Sequence, residues 1–224
     1  MRIAPAAETE QRLVGVWPEF LLHDAVSNRY WNRLYVDCAE FQFVLLDGDE
    51  LVAEGNSLPV PGQPAQWRDA FLAAFERGGE PDRLCALAII VAPAHRGRGL
   101  STVMLEHMCG LAARFGELVA PVRPTLKERY PDVPIEEYVT WRREDGAHVD
   151  PWIRTHERAG GEVTGTADEA MLIEGPRAVW EEWTGLELPD DGEVAVPGAL
   201  VPVRFDGGHG VYREPCVWLR HGVR

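Results

Sequence analysis

The residues best suited to chemistry lie in one short stretch, Arg96-Gly97-Arg98-Gly99-Leu100-Ser101. Glycine lets a backbone come close to a bulky anion, and arginine adds positive charge with forked hydrogen-bond donors. The chain carries 36 acidic residues against 22 Lys and Arg, a net charge of −14, so a local basic cluster fits a phosphorylated ligand. The turn has no Gly-Lys-Ser/Thr of a P-loop. It also lacks the third glycine of a dinucleotide fingerprint, because Thr102 stands in that place.

The flanking elements decide what such a turn can do. Leu84, Ala86, Leu87, Ala88, Ile89, Ile90 and Val91 form an apolar run bounded by Pro93, as expected of a strand covered on both faces. After the turn, Leu100, Met104, Met108, Leu111 and Phe115 recur at helical spacing, with Gly116 at the place of a helix C-cap. The glycines therefore fall at a helix N-terminus. Backbone N–H groups are free there and the macrodipole is positive, so an anion docks without dedicated side chains. An ordinary basic turn that caps a helix is the plainer alternative.

The stretch Val91-Ala92-Pro93-Ala94-His95-Arg96-Gly97-Arg98-Gly99-Leu100-Ser101 resembles the acyl-coenzyme A signature of the GNAT N-acetyltransferase superfamily. That signature is Arg or Gln-x-x-Gly-x-Gly or Ala after the fourth strand. Arg96 and Gly99 match it, and Ser101 replaces the usual Gly or Ala. The resemblance implies an α/β (α+β) fold, with a mixed central sheet flanked by helices. It also implies acetyl-coenzyme A or another acyl-coenzyme A, held by Ile89, Ile90, Val91, Arg96, Gly97, Arg98, Gly99, Leu100 and Ser101. The implied reaction is transfer of the acyl group to an amine of a small molecule. A non-catalytic acyl-coenzyme A sensor stays open beside it, as does decarboxylation or hydrolysis of the thioester. The resemblance covers roughly residues 13–173, read as the core of a single domain spanning 1–224, with residues 174–224 as a C-terminal β extension.

Apolar residues make up 46% of the chain and charged residues 26%, as in ordinary soluble domains. No apolar run reaches the length of about 18 residues that a membrane span needs, and Met1-Arg2-Ile3-Ala4-Pro5 lacks a signal-peptide core. The expectation is a cytoplasmic protein. Cys38, Cys85, Cys109 and Cys216 lie far apart, which signals neither a disulfide framework nor a metal site. The acidity disfavours nucleic acid and anionic membranes as partners and is compatible with a cationic amine. A homodimer is possible.

Along the chain, Leu13 to Gly15 reads as a first strand and Val16 to Cys38 as two short helices, with Asp24 and Ser27 as candidate caps. Asp47-Gly48 predicts a hairpin between Phe41–Leu46 and Leu51–Asn56. Pro59 to Pro64 reads as a linker, followed by a helix carrying Trp67, Phe71 and Phe75 that ends at Gly78-Gly79. Leu118 to Val122 reads as a short strand, and the resemblance implies that it splays from the preceding strand to open a slot for the pantetheine arm. Ile135 to Arg143 reads as a helix entered through Pro134, and Arg177 to Thr184 as another. Strands are expected at Ala170–Ile173, Ala195–Arg204 and Pro215–Arg220, the last pairing with Leu200–Phe205 across Asp206 to Gly210.

Asp150-Pro151 opens a further helix that ends at Gly160-Gly161 and places His156 where the family's tyrosine is expected. His156 is thus the candidate that protonates the leaving thiolate, with Asp150 as a neighbour that would favour the charged imidazole. A surface histidine and a plain N-cap are the alternative readings of the two residues. Glu144, Asp145 and His148 in the preceding loop are candidates to deprotonate an amine, or are merely solvated. In the resembled family a backbone N–H near Val91 supplies the oxyanion donor.

Overall fold

Gly48 turns the chain at φ 61° and joins β2 (Gln42–Asp47) to β3 (Glu50–Val60) as the expected antiparallel hairpin. The computed structural model describes residues 1–222. The strand beside β2 is β1, Arg2–Pro5, and not Leu13–Gly15. Gly15 takes φ 69°, which breaks an extended run, and the Leu13 N–H is spent on the Glu54 carboxylate. β3 also runs on through Pro59 and Val60, where a linker was expected. Beyond Asn56 it pairs only with the next strand, β4 (Arg83–Val91), and a proline is tolerated on such an edge.

The predicted strand, turn and helix are all present as β4, the glycine-rich turn and α3 (Leu100–Ala112), with Gly116 at φ 91° after it. β5 (Glu117–Val122) runs parallel to β4 but pairs with it only at Leu84↔Leu118 and Cys85↔Val119, and then diverges. Alternation along both strands places the core on two sides. Leu84 and Leu118 pack with Met104, Leu105 and Met108 of α3. Cys85 and Val119 pack with Tyr30 and Leu34 of α1 (Ala25–Asp37) and with Phe71 of α2 (Asp69–Leu72). Asp24 caps α1 by accepting from the Ser27 N–H, so Ser27 is the capped residue. The helix bearing Phe71 widens after one α turn into a π turn, Ala73–Arg77, and stops at Gly78 with φ 68°.

The C-terminal residues depart furthest from the expectation of an extension. β6 (Glu162–Pro176) and β9 (His209–Gly222) are long antiparallel partners, and Val217–Gly222 of β9 also pairs with Val122–Glu117 of β5. β9 thus fills the sheet between β5 and β6, so a core drawn at residues 13–173 omits one of its interior strands. The remaining strands, β7 (Gly192–Val194) and β8 (Val203–Asp206), pack over α6 (Arg177–Thr184), whose Trp180 is fully buried with Phe20, Phe205 and Tyr212. Ala195 to Pro202 is not a strand, because Pro197, Gly198 at φ 84° and Pro202 interrupt it. The β8–β9 turn is tighter than expected, closing on Gly207 and Gly208, both at positive φ. Two more helices complete the chain: α4, which lasts one turn (Ile135–Tyr138) and does not reach Arg143, and α5 (Pro151–Arg158). Among the described residues no helix is long and apolar enough to cross a membrane.

Candidate active site

The parting of β4 and β5 opens a cleft of about 680 Å³, lined by Ile89, Ile90 and Val91 on one wall and by Ala120, Pro121 and Val122 on the other. At its far end lie Arg96, Gly97, Gly99, Leu100 and Ser101. Gly97 and Gly99 both hold φ 76°, and a Cβ on either would meet nothing within 4 Å. Among the described residues, none of the backbone N–H groups from Gly97 to Ser101 donates to another backbone group. Open space beside unpaired donors at a helix start fits a pyrophosphate. The Leu100 side chain faces the core against Met104, so that residue offers the cleft only its backbone. Arg98 does not line the cleft; its guanidinium meets His95 Nδ1 at 2.8 Å, and His95 Nε2 meets Glu50 at 3.0 Å. Arg96 folds back to donate to the Val91 carbonyl at 3.4 Å.

The same cleft is lined by Arg123, Thr125, Glu128, Trp152, Thr155 and His156. A second cavity of about 240 Å³ adjoins it, sharing Trp17, Leu87, Ala88, Pro121 and Arg123. Its walls include Trp31, Trp67, Met171 and Cys216. Arg123, just past β5, donates to Glu214 of β9 and to the Gly198 carbonyl, and Tyr212 also donates to Glu214. Burial pushes the Glu214 carboxyl up, and Arg123 partly offsets that. No motif marked Arg123, Glu214, Trp17 or Trp31, because their contacts join positions far apart in the chain, whereas Trp67 belongs to the helical stripe with Phe71 and Phe75.

Asp150 and His156 occupy the helix foreseen for them, but the pair does not interact as the sequence suggested. Asp150 is fully buried, and its four acceptor contacts come from Trp152 N–H, Ile153 N–H, Leu126 N–H and the Tyr138 hydroxyl. That arrangement makes it a cap and a tie between segments, with no contact to His156. His156 is 2% exposed, and its Nδ1 lies 2.9 Å from His221 Nε2 on β9. Burial, reinforced by His221, pushes its pKa down to about 3, so the ring is neutral and not the charged donor expected. Its other nitrogen, Nε2, is buried without a protein partner. His148 is also buried, with both ring nitrogens engaged: Nδ1 accepts from the Asp150 N–H and Nε2 donates to the Val139 carbonyl. Glu144 and Asp145 are exposed and line neither cavity, which removes this loop as a source of a base. Cys38 and Cys109, half-buried, are pushed up to about 11 chiefly by burial, so neither is a ready nucleophile.

The family model for the acetyltransferase (GNAT) family matches residues 7–130, more than half of the chain. A curated relative, arginine N-acetyltransferase avaD of Aspergillus versicolor, is 34% identical, covering 96% of this chain and 88% of its own. Among solved structures, the loading GNATL domain of CurA from Lyngbya majuscula superposes with a TM-score of 0.60 at 20% identity, covering 92% of this chain and 87% of that one. The GphF GNAT-like decarboxylase, in complex with isobutyryl-CoA, gives 0.55 at 19% identity, covering 88% and 86%. At such identities these two likenesses speak for the fold alone. Family model and relative together show that the chain belongs to the GNAT acetyltransferase family and is an N-acyltransferase that uses an acyl-coenzyme A.

Proposed function

We propose that the protein transfers an acetyl group from acetyl-coenzyme A to the α-amine of arginine or of a closely related small cation. The observation that carries this reading is the meeting of two cavities at Leu87, Ala88, Pro121 and Arg123, where β4 and β5 part. One cavity ends at the glycine-rich turn and suits the pyrophosphate and pantetheine arm. The other presents Trp17, Trp31 and Trp67, and a planar guanidinium stacks well on indole faces. Arg123 is already neutralised by Glu214, so it leaves no unpaired positive charge to repel a cation. The net charge of −14 raises the local concentration of cations around the protein. The similarity to an arginine N-acetyltransferase supports the same class of acceptor.

The α-amine is the nucleophile, because a guanidinium with a pKa above ~12 holds no free lone pair near neutral pH, whereas an α-amine with a pKa near ~8 does. Ile89, Ile90 and Val91 pair with β3 on one side and leave the edge towards β5 without a strand partner, where the alternate N–H groups that point to the cleft can meet the thioester oxygen. Trp152, Thr155 and the neutral His156 ring line the cleft as well. The decisive experiment follows free thiol from acetyl-coenzyme A with and without arginine, and identifies the product by mass spectrometry. Thiol release that requires arginine, with the acetyl group on the α-nitrogen, is the expected result. Equal release without arginine would make the protein a thioester hydrolase, and binding without release would make it a sensor.

A further inference from the structure

Arg123 stands just past β5, where the two cavities meet, and among the described residues that line the second cavity it is the only Lys or Arg. The first cavity has one other, Arg96, at its glycine-rich end. An acceptor that fills the second cavity therefore meets a single fixed cationic side chain, and meets it at the junction with the cofactor cleft.

The network behind Arg123 fixes where its guanidinium can reach. Nε donates to Glu214 and Nη2 to the Gly198 carbonyl, so one edge of the planar fork is spent on the protein. Glu214 is held in turn by the Tyr212 hydroxyl, whose oxygen accepts from the Leu200 N–H at 2.9 Å. Glu214 and Tyr212 are both buried, so the guanidinium is braced from the interior. Nη1 donates to none of the described residues, yet it is not sealed from solvent. The Arg123 side chain keeps 19% of its surface open against 3% for Glu214, so the accessible side of the pair belongs to the arginine.

We propose that Arg123 determines specificity by holding the carboxylate of the acceptor at Nη1, which makes the acceptor a free α-amino acid with a cationic side chain. The inference rests on the acetyl-transfer reading above. In an α-amino acid the amine and the carboxylate share one carbon. A carboxylate held by Arg123 therefore keeps the amine at the junction, where β4 and β5 part, and leaves the side chain to run towards Trp31 and Trp67 in the second cavity. The charges balance as well. The Arg123–Glu214 pair is neutral, and so is an arginine whose α-amine has lost its proton, with carboxylate against guanidinium. A hydrogen bond to a charged partner is about twice as strong as a neutral one, so Nη1 favours a carboxylate over an uncharged group in its place.

Arginine amide tests this on the unaltered protein, because it keeps the α-amine and the guanidinium and replaces the carboxylate by a neutral group. Its α-amine is less basic and more often free of its proton, so a slower reaction points to lost recognition and not to a poorer nucleophile. The parent should show a kcat/KM about tenfold or more lower for arginine amide than for arginine, mainly through KM. In Arg123→Gln that preference should shrink to within about twofold, whereas a purely structural role for Arg123 would slow both substrates alike and keep their ratio. Equal use of the two by the parent, or an undiminished preference in a folded Arg123→Gln protein, overturns the inference and leaves acetyl transfer standing. If no amine is acetylated, the reading of the reaction falls, and calorimetric titration of both compounds into the parent saturated with coenzyme A decides the inference by itself. Binding of arginine about tenfold or more tighter than that of its amide supports it; equal binding, or none, overturns it.

Discussion

The glycine-rich end of the cleft, proposed for the pyrophosphate, is made from one continuous stretch, Arg96 to Ser101, whereas the end proposed for the acceptor is made from side chains that meet only in the folded chain. The first works through backbone: two glycines at φ 76°, and N–H groups at the start of α3. The second works through pairs separated by 91 positions in Arg123–Glu214 and by 65 in His156–His221. Local backbone chemistry survives wherever the turn is kept. Side-chain pairs depend on the register of β9 against β5 and β6, so they change with the sheet. The contrast suggests how one fold can keep its cofactor and vary its acceptor.

The contrast is broken most directly at Gly99. Its left-handed φ of 76° is costly for a side-chain-bearing residue, and a Cβ would occupy the open space beside the unpaired N–H groups. Gly99→Val should weaken coenzyme A binding by about 100-fold or more, equivalent to roughly 3 kcal/mol, in isothermal titration. The loss should exceed the accompanying drop in thermal stability. An unchanged dissociation constant would place the phosphate site elsewhere.

The two ends also differ in how far they could be read from sequence. The β4–turn–α3 unit, the Asp47-Gly48 hairpin and the Asp150-Pro151 helix start were legible because each depends on residues within a few positions of one another. The long-range features were not. Nothing local says that Val217 to Gly222 will enter the sheet beside β5, since an apolar strand near a chain end reads equally well as an edge or an interior strand. Nor could spacing show that His156 would be buried against His221 and have its pKa pushed down, when the same residue beside a carboxylate would have been pushed up. The Leu13 to Gly15 strand failed for a related reason: three apolar or small residues carry too little pattern against the break at Gly15.

The buried imidazole gives the acceptor end a pH dependence that sharpens the comparison. In the unfolded chain His156 should titrate near its ordinary ~6.5, whereas in the fold it does so at about 3. Below ~6.5 the unfolded chain binds a proton that the folded one refuses, so stability from this group is complete above that pH and falls as the pH drops towards 3. The slope for one such proton is about 1.4 kcal/mol per pH unit. Urea unfolding between about pH 5 and pH 7 should therefore show a shallower acid-side decline in His156→Gln than in the parent. Equal slopes would mean that His156 is as easily protonated in the fold as outside it.

The smallest expected effect lies where the two cavities touch. Trp67 donates from Nε1 to the Leu87 carbonyl at 3.1 Å, and Leu87 lines both cavities while Trp67 lines only the second. Trp67→Phe keeps an aromatic ring against Phe71 and Trp31 but removes that donor, leaving the carbonyl of a central strand without it. One neutral hydrogen bond contributes about 1 kcal/mol net, and the phenyl ring also has a weaker face for a cation than indole. Stability should fall by about that amount, and the KM for arginine should rise by about two- to fivefold, the ground-state share of so small a loss. Coenzyme A affinity should stay within about twofold, because the change lies outside the residues that line the pyrophosphate end. If coenzyme A binding fell as far as arginine binding, Leu87 would be transmitting the change along β4. The two ends would then act as one site, and the separation between local backbone chemistry and long-range side-chain chemistry would not hold.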